Sequence, residues 1–208
     1  MTRTIAASAA LLALLFAAPA APATDDLLSR MASVNTSLHT FSATLRAHVT
    51  MKSFPFLTAD LVGDYYYKAP DKNKVSFTGG VPLIAQQFDK LYAHIESPAK
   101  WRDVYNVTTL ADDGRTTRFK LVPLKHGNIE QIVATADDRS ATVSSMRWDY
   151  DNGGYAEMLN HYAPVQGYLV VVSQNGHVEE PGYVADIASV IGDYKMNVSL
   201  PSNLFEAP

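Results

Sequence analysis

From Phe41 the apolar residues fall at every second position. Phe41, Ala43, Leu45, Ala47, Val49 and Met51 share one face, and Ser42, Thr44, Arg46, His48, Thr50 and Lys52 the other. That period predicts a long strand with one dry face. A turn at Ser53 to Phe56, containing Pro55, leads into Leu57, Ala59, Leu61, Gly63, Tyr65 and Tyr67, alternating with Thr58, Asp60, Val62, Asp64 and Tyr66. The pair reads as an antiparallel hairpin with one buried side. Ala69-Pro70-Asp71 breaks the run, and Lys72 to Thr78 resumes it through Val75 and Phe77. Upstream the spacing is helical: Leu27, Leu28, Met31, Val34 and Leu38 follow Thr24, Asp25 and Asp26, which supply an N-cap and negative charge at a helix start.

The middle of the chain changes period. Leu83, Ile84, Gln87, Phe88, Leu91, Tyr92 and Ile95 form an apolar helical stripe, with Pro82 suited to a first turn and Pro98 beyond the end. Strands then recur at Tyr105 to Leu110, Arg115 to Val122, Ile129 to Thr135, Ala141 to Asp149, Tyr155 to Tyr162, Tyr168 to Ser173 and Tyr194 to Leu200. Turns are predicted at Asp113-Gly114, Gly127-Asn128, Asp137-Asp138, Asn152-Gly153-Gly154, Asn175-Gly176 and Gly192-Asp193. About ten strands with connections this short form an antiparallel sheet. They leave no room for the helical crossovers of a parallel one. The expected class is α+β, mostly antiparallel β.

The first residues change the compartment. Arg3 is followed by the uncharged apolar run Ile5 to Ala18 and then by Ala-Pro-Ala repeats at 18–20 and 21–23. This order reads as a secretory signal peptide over residues 1–23, cleaved after Ala23, because the apolar run is shorter than the ~20 residues a bilayer core needs. Residues 24–208 are then one mature domain, and losing Arg3 takes the net charge from −4 to −5. No basic cluster offers a grip on nucleic acid. The absence of cysteine from the sequence removes disulfides, iron–sulfur clusters, thiol nucleophiles and a lipoprotein anchor.

Motifs for chemistry are few. There is no Gly-x-Ser-x-Gly elbow, no His-Glu-x-x-His, no dinucleotide fingerprint and no Walker loop. His39, His48, His94, His126, His161 and His177 are scattered, and Asp112-Asp113 and Asp137-Asp138 sit in turn-like contexts that hairpin tips explain. The aromatics say more. Tyr65, Tyr66 and Tyr67 put at least one ring on each face, and Phe77, Phe88, Tyr92, Trp101, Tyr105, Phe119 and Trp148 add bulk. These rings fit either an ordinary core or the wall of a cavity in a wide curved sheet.

The order of features resembles the LolA-like family of periplasmic outer-membrane lipoprotein carriers. The matching residues are Leu27-Leu28-Ser29-Arg30-Met31, Leu38-His39-Thr40-Phe41-Ser42-Ala43, Gly63-Asp64-Tyr65-Tyr66-Tyr67-Lys68-Ala69-Pro70, and a close at Val198-Ser199-Leu200-Pro201 followed by Phe205. The likeness is closest over Leu27 to Thr78 and architectural thereafter. It implies an unclosed β-barrel of about ten to eleven strands, with helices forming a lid over a hydrophobic cavity that takes acyl chains.

Carried over to this chain, the resemblance places the cavity wall at Leu45, Val49, Leu61, Tyr65, Tyr67, Val75 and Phe77, and the lid at Ile84, Phe88, Leu91 and Tyr92. It implies no cofactor and no enzymatic activity. The implied partners are acylated lipoprotein or lipid cargo, an inner-membrane loading complex and an outer-membrane acceptor, with the carrier a monomer in the periplasm. Two departures stand out. Ala69 occupies the position where the typical carriers have a lid-latching arginine before the proline, and Gly79 to Trp101 replaces the family's usual turn and aromatic strand. Two other readings compete: an envelope-stress sensor of the same fold that binds a membrane regulator, and a metal-assisted hydrolase using His126, His161 or His177 with Asp137 or Asp149.

Overall fold

A computed structural model of the chain describes residues 24–54, 56–78 and 96–205. The expected leader and the expected lid residues Ile84, Phe88, Leu91 and Tyr92 lie outside them. One ten-stranded antiparallel sheet dominates: β1 (Thr40–Met51), β2 (Thr58–Lys68), β3 (Lys72–Phe77), β4 (Tyr105–Asp112), β5 (Thr116–Pro123), β6 (Ile129–Asp137), β7 (Thr142–Tyr150), β8 (Tyr155–Val165), β9 (Tyr168–Glu180) and β10 (Tyr183–Met196). Their order across the sheet is β3-β2-β1-β10-β9-β8-β7-β6-β5-β4, so the first long strand pairs with the last and the barrel stays open between β3 and β4. The helix α1 spans Thr24–Ser33, and a 3-10 turn at Pro98–Lys100 runs into a single helical turn at Trp101–Val104.

Alternation is obeyed where the core demands it. On β1 every residue from Phe41 to Met51 that the pattern assigns inward is buried. Phe119, Leu121, Ile132, Leu45 and Trp101 are almost fully inaccessible and anchor the concave side. Gly63 faces inward on β2, and a Cβ there would come within 2.8 Å of the Ser76 carbonyl and 2.9 Å of the Phe77 ring. A side chain at this position would push β3 away.

Two turn expectations are corrected. Asn175-Gly176 lies inside β9, where Asn175 opposes Leu159 on β8 and Ala188 on β10. The inward parity of Gln174, Gly176 and Val178 runs straight through the dipeptide, and a turn there would remove these side chains from the inner face. The actual hairpin after β9 is Pro181-Gly182, with Gly182 at φ +101, and β8 turns into β9 at Gln166-Gly167. Gly192-Asp193 is a bulge within β10: the register steps from Thr44↔Gly192 to Ser42↔Lys195, and Asp193 has φ +55. The extra residue reverses the parity, so that Ile191 and Tyr194 both face inward. The final strand therefore starts at Tyr183, eleven residues before the predicted Tyr194, and ends at Met196. The first helix also ends earlier than its apolar stripe, because Asn35 takes φ +60 and the chain turns there, leaving Leu38 buried from a loop.

Candidate functional site: an apolar cavity beneath the first helix

Alternation supplies the wall of the site and α1 covers it. A cavity of about 470 Å³ lies between Met31 and Ala32 of α1, with Val34 of the turn that follows it, and the inner face of the sheet. Its apolar wall includes Leu38, Phe41, Tyr65, Tyr67, Trp101, Val143, Met146, Trp148, Met158, Val170, Val171, Ile191 and Tyr194. Phe41 is the hub: its ring stacks on Tyr67 at 5.3 Å and meets Tyr65 and Tyr194 edge-on at 5.2 Å each. Tyr65 and Tyr67 face inward because an odd number of residues separates them from Leu61, and Tyr66 points the other way. A second, much smaller cavity of about 20 Å³ lies deeper along the sheet, and Trp148, Met158 and Gln174 line both.

Several polar groups of the larger cavity are paired, and burial raises the phenols of Tyr67, Tyr162 and Tyr194. Tyr65 donates from its hydroxyl to Asn73 Oδ1 (2.9 Å), and the Tyr194 hydroxyl donates to the Val171 carbonyl. Tyr162 donates to the Val143 carbonyl at 3.2 Å, and burial pushes its phenol up to about 12. Burial also raises Tyr194 and, with help from nearby Asp71, Tyr67. The carboxylates at the rim are engaged as well: Lys100 Nζ reaches Asp71 at 2.7 Å, and the Tyr105 hydroxyl donates to Glu96 at 2.6 Å. The result is a largely apolar chamber with hydrogen-bonding groups among its lining and two engaged carboxylates, suited to holding an amphiphile.

The predicted wall residues divide between the two spaces. Tyr65 and Tyr67 line the larger cavity, while Leu45, Val49, Leu61 and Phe77 line the smaller one. Val75 is buried and lines neither. The helix over the larger cavity in the described residues is α1, which the sequence reading treated only as a leading helix. Phe41 is not among the predicted wall residues either, and of the β7–β10 wall only Trp148 stands out in the sequence, as a ring that fits a core or a cavity wall. For Phe41 the signal existed, since it begins the same alternating face as Leu45. For Tyr194 it did not, because the bulge that turns it inward breaks the period.

The helix is tied down by side chains that contact backbone. Asn35 Nδ2 donates to the Leu169 carbonyl (2.7 Å) while its Oδ1 accepts from the Leu169 amide (2.9 Å). Arg30 Nη1 donates to the Asp138 carbonyl at 2.7 Å. Ala69 offers no latch, and these contacts from α1 and the loop after it hold the cover instead. Three of the paired carboxylates serve turns, Asp112 accepting from the Gly114 amide, while the fourth, Asp138, is buried and accepts from the Thr117 hydroxyl across the sheet. Asp113 accepts from the amides of Arg115 and Thr116, and Asp137 from the amide and hydroxyl of Ser140. The candidate hydrolase histidines are dispersed: His126 and His161 are exposed, and His177 contacts Asp186 at 2.7 Å. Among the described residues no three His, Asp or Glu side chains are grouped to hold a metal ion.

No family model matches the chain, and no curated protein matches it in sequence. Solved structures match in three dimensions. A DUF1329 family protein from Desulfovibrio piger superposes with a TM-score of 0.63 at 11% identity, over 87% of this chain and 95% of that one. The LolA superfamily protein NE2245 from Nitrosomonas europaea gives 0.63 at 8% identity, over 88% and 97%. The fold is LolA-like. A putative outer membrane lipoprotein-sorting protein domain from Vibrio parahaemolyticus also shares it, with a TM-score of 0.62 at 10% identity over 86% and 93%. At these identities the likeness to LolA-like structures rests on the path of the backbone, and side chains of the cavity have to be read from this chain alone.

Proposed function

We propose that the protein is a non-enzymatic periplasmic carrier. It is exported by residues 1–23, and as residues 24–208 it holds the acyl chains of a lipoprotein or related lipid in the cavity beneath α1 and shuttles them toward the outer membrane. The observation that carries this reading is the cavity of about 470 Å³ with a largely apolar wall and phenols raised by burial. A chain of about sixteen carbons costs on the order of 12 kcal/mol to expose to water at roughly 0.8 kcal/mol per methylene, so an aqueous gap is a steep barrier to an unaccompanied lipid. A mobile apolar compartment removes most of that barrier. Loading from an inner-membrane complex and release to an outer-membrane acceptor require opening, which the helix cover provides.

The test is organic extraction and mass spectrometry of the mature protein purified from its own periplasm, together with displacement of a fluorescent acyl probe by monoacylglycerols. Near-stoichiometric acyl cargo, or micromolar competition, is expected. Protein that is clean on extraction and indifferent to every acyl probe would remove the carrier reading.

A further inference from the structure

The concave face carries one polar row where the alternation calls for apolar residues. Ser189 on β10 pairs directly with Gln174 on β9, and Gln174 pairs directly with Asn160 on β8. Direct antiparallel partners hold their side chains on the same face about 5 Å apart. Ser189 and Gln174 are buried, at 3% and 7% exposure. Hydrogen bonds run along the row from one end: Asn160 Nδ2 donates to the Val143 carbonyl (3.0 Å), and Gln174 Nε2 donates to Asn160 Oδ1 (2.8 Å) and Met158 Sδ (2.9 Å). At the other end the Ser189 hydroxyl is buried with no partner. It lines the inner cavity, whose other walls are almost wholly apolar.

An orphaned buried hydroxyl is destabilising, and an alanine there would carry no such cost. The inner cavity, at about 20 Å³, exceeds the roughly 10–15 Å³ needed for one oxygen-sized group. It shares Trp148, Met158 and Gln174 with the larger cavity, so these side chains are what stands between a chain held beneath α1 and Ser189. We propose that Ser189, positioned at the end of the Asn160–Gln174 row, is a cargo-binding residue that hydrogen-bonds a polar group within the buried part of the ligand. The cargo is then a long-chain lipid bearing a hydroxyl on its hydrocarbon portion rather than a plain saturated chain. This rests on the carrier reading and specifies the class of chain carried.

The experiment measures displacement of a fluorescent acyl probe from the full mature protein by sixteen-carbon monoacylglycerols, either unsubstituted or with a single hydroxyl near the head, in the middle or at the end of the chain. One hydroxylated isomer is expected to bind roughly tenfold tighter than the plain compound, the worth of one added hydrogen bond. In Ser189→Ala that preference disappears, read as the ratio of hydroxylated to plain affinity within the variant. Ser189→Thr, which keeps the hydroxyl, retains part of the preference and controls for misfolding. Plain chains binding as well as every hydroxylated isomer overturns the proposal and leaves the carrier reading standing. No chain binding at all overturns the carrier reading itself. A preference that survives Ser189→Ala overturns the assignment to this residue.

Discussion

Removing the Asn35 side chain isolates the contact that ties the cavity cover to the sheet. Asn35 bonds both backbone groups of Leu169, and it does so from φ +60, a conformation asparagine tolerates better than alanine. Two partly buried hydrogen bonds at about 0.5–1.5 kcal/mol each give a loss of roughly 1–3 kcal/mol in Asn35→Gly, which keeps the backbone geometry. Asn35→Ala adds about 1 kcal/mol for forcing a Cβ into the left-handed region. Because the loop containing Asn35 joins α1 to β1, the loss falls on the cover before it falls on the sheet. Amide hydrogen exchange reads this directly. In Asn35→Gly the amides of α1 exchange faster by about 5- to 150-fold, while those of β5 and β6 change only as far as global stability does. Arg30→Ala gives a smaller effect, since its side chain is partly exposed, and the double variant shows coupling if both contacts hold the same closed state. Unchanged exchange in α1, or acceleration spread evenly over the sheet, refutes the assignment of Asn35 as the tether.

Two further expectations follow from the geometry. Gly63→Ala places a methyl within 2.8 Å of a β3 carbonyl and costs about 1–3 kcal/mol in urea unfolding; trimming the facing ring with Phe77→Leu recovers part of it, and a neutral Gly63→Ala contradicts the close approach. Asp186 is held below the ordinary carboxylate range by hydrogen bonds from His177 and Lys52, as is Asp137 by the Ser140 amide and hydroxyl. Their stabilisation is fully present above the unfolded-chain value of about 3.9 and is lost as pH falls through the folded values. Urea midpoints are therefore flat from neutral pH to about 5 and decline below about 4. Asp137→Asn shallows that decline, and an acid limb as steep as the parent's counts against the assignment.

The sheet was legible because burial on one face forces a period of two, and β1 to β3 follow that period closely. The reading failed where a local turn signal met a longer tertiary demand. Asn175-Gly176 has the composition of a hairpin tip, yet β9 needs thirteen residues to pair with both β8 and β10, and the pairing outweighs the dipeptide. Gly192-Asp193 likewise carries a real irregularity, which the fold uses as a bulge to bring Tyr194 against Phe41. Pro181-Gly182 has turn composition too, and it is there that the chain reverses, with Gly182 at φ +101.

The cavity itself was harder to read, for a physical reason: it is encoded by side-chain size, and polarity patterns do not report size. One part of the wall presents Ala141, Thr142, Val143, Val170 and Val171, while Trp148 on β7 and Met158 on β8 line both this cavity and the deeper one. Ala141, Thr142 and Val143 are consecutive, as are Val170 and Val171, and the register shifts at Thr135/Ala136 and His161/Tyr162 put neighbours on the same wall, which a strict period of two does not report. Close packing would require the small residues to be met by large ones from the cover, and among the described residues α1 and the turn after it contribute Met31, Ala32 and Val34 as apolar side chains. The volume left over is the difference between the curvature that ten strands impose and the side chains assigned to fill it. Enlarging that wall therefore trades volume for stability directly. In Val143→Phe a ring enters the empty space without displacing the Phe41 cluster, so the protein should lose acyl-probe affinity while holding or gaining unfolding stability, whereas an overpacked solid core at this position would lose about 1–3 kcal/mol.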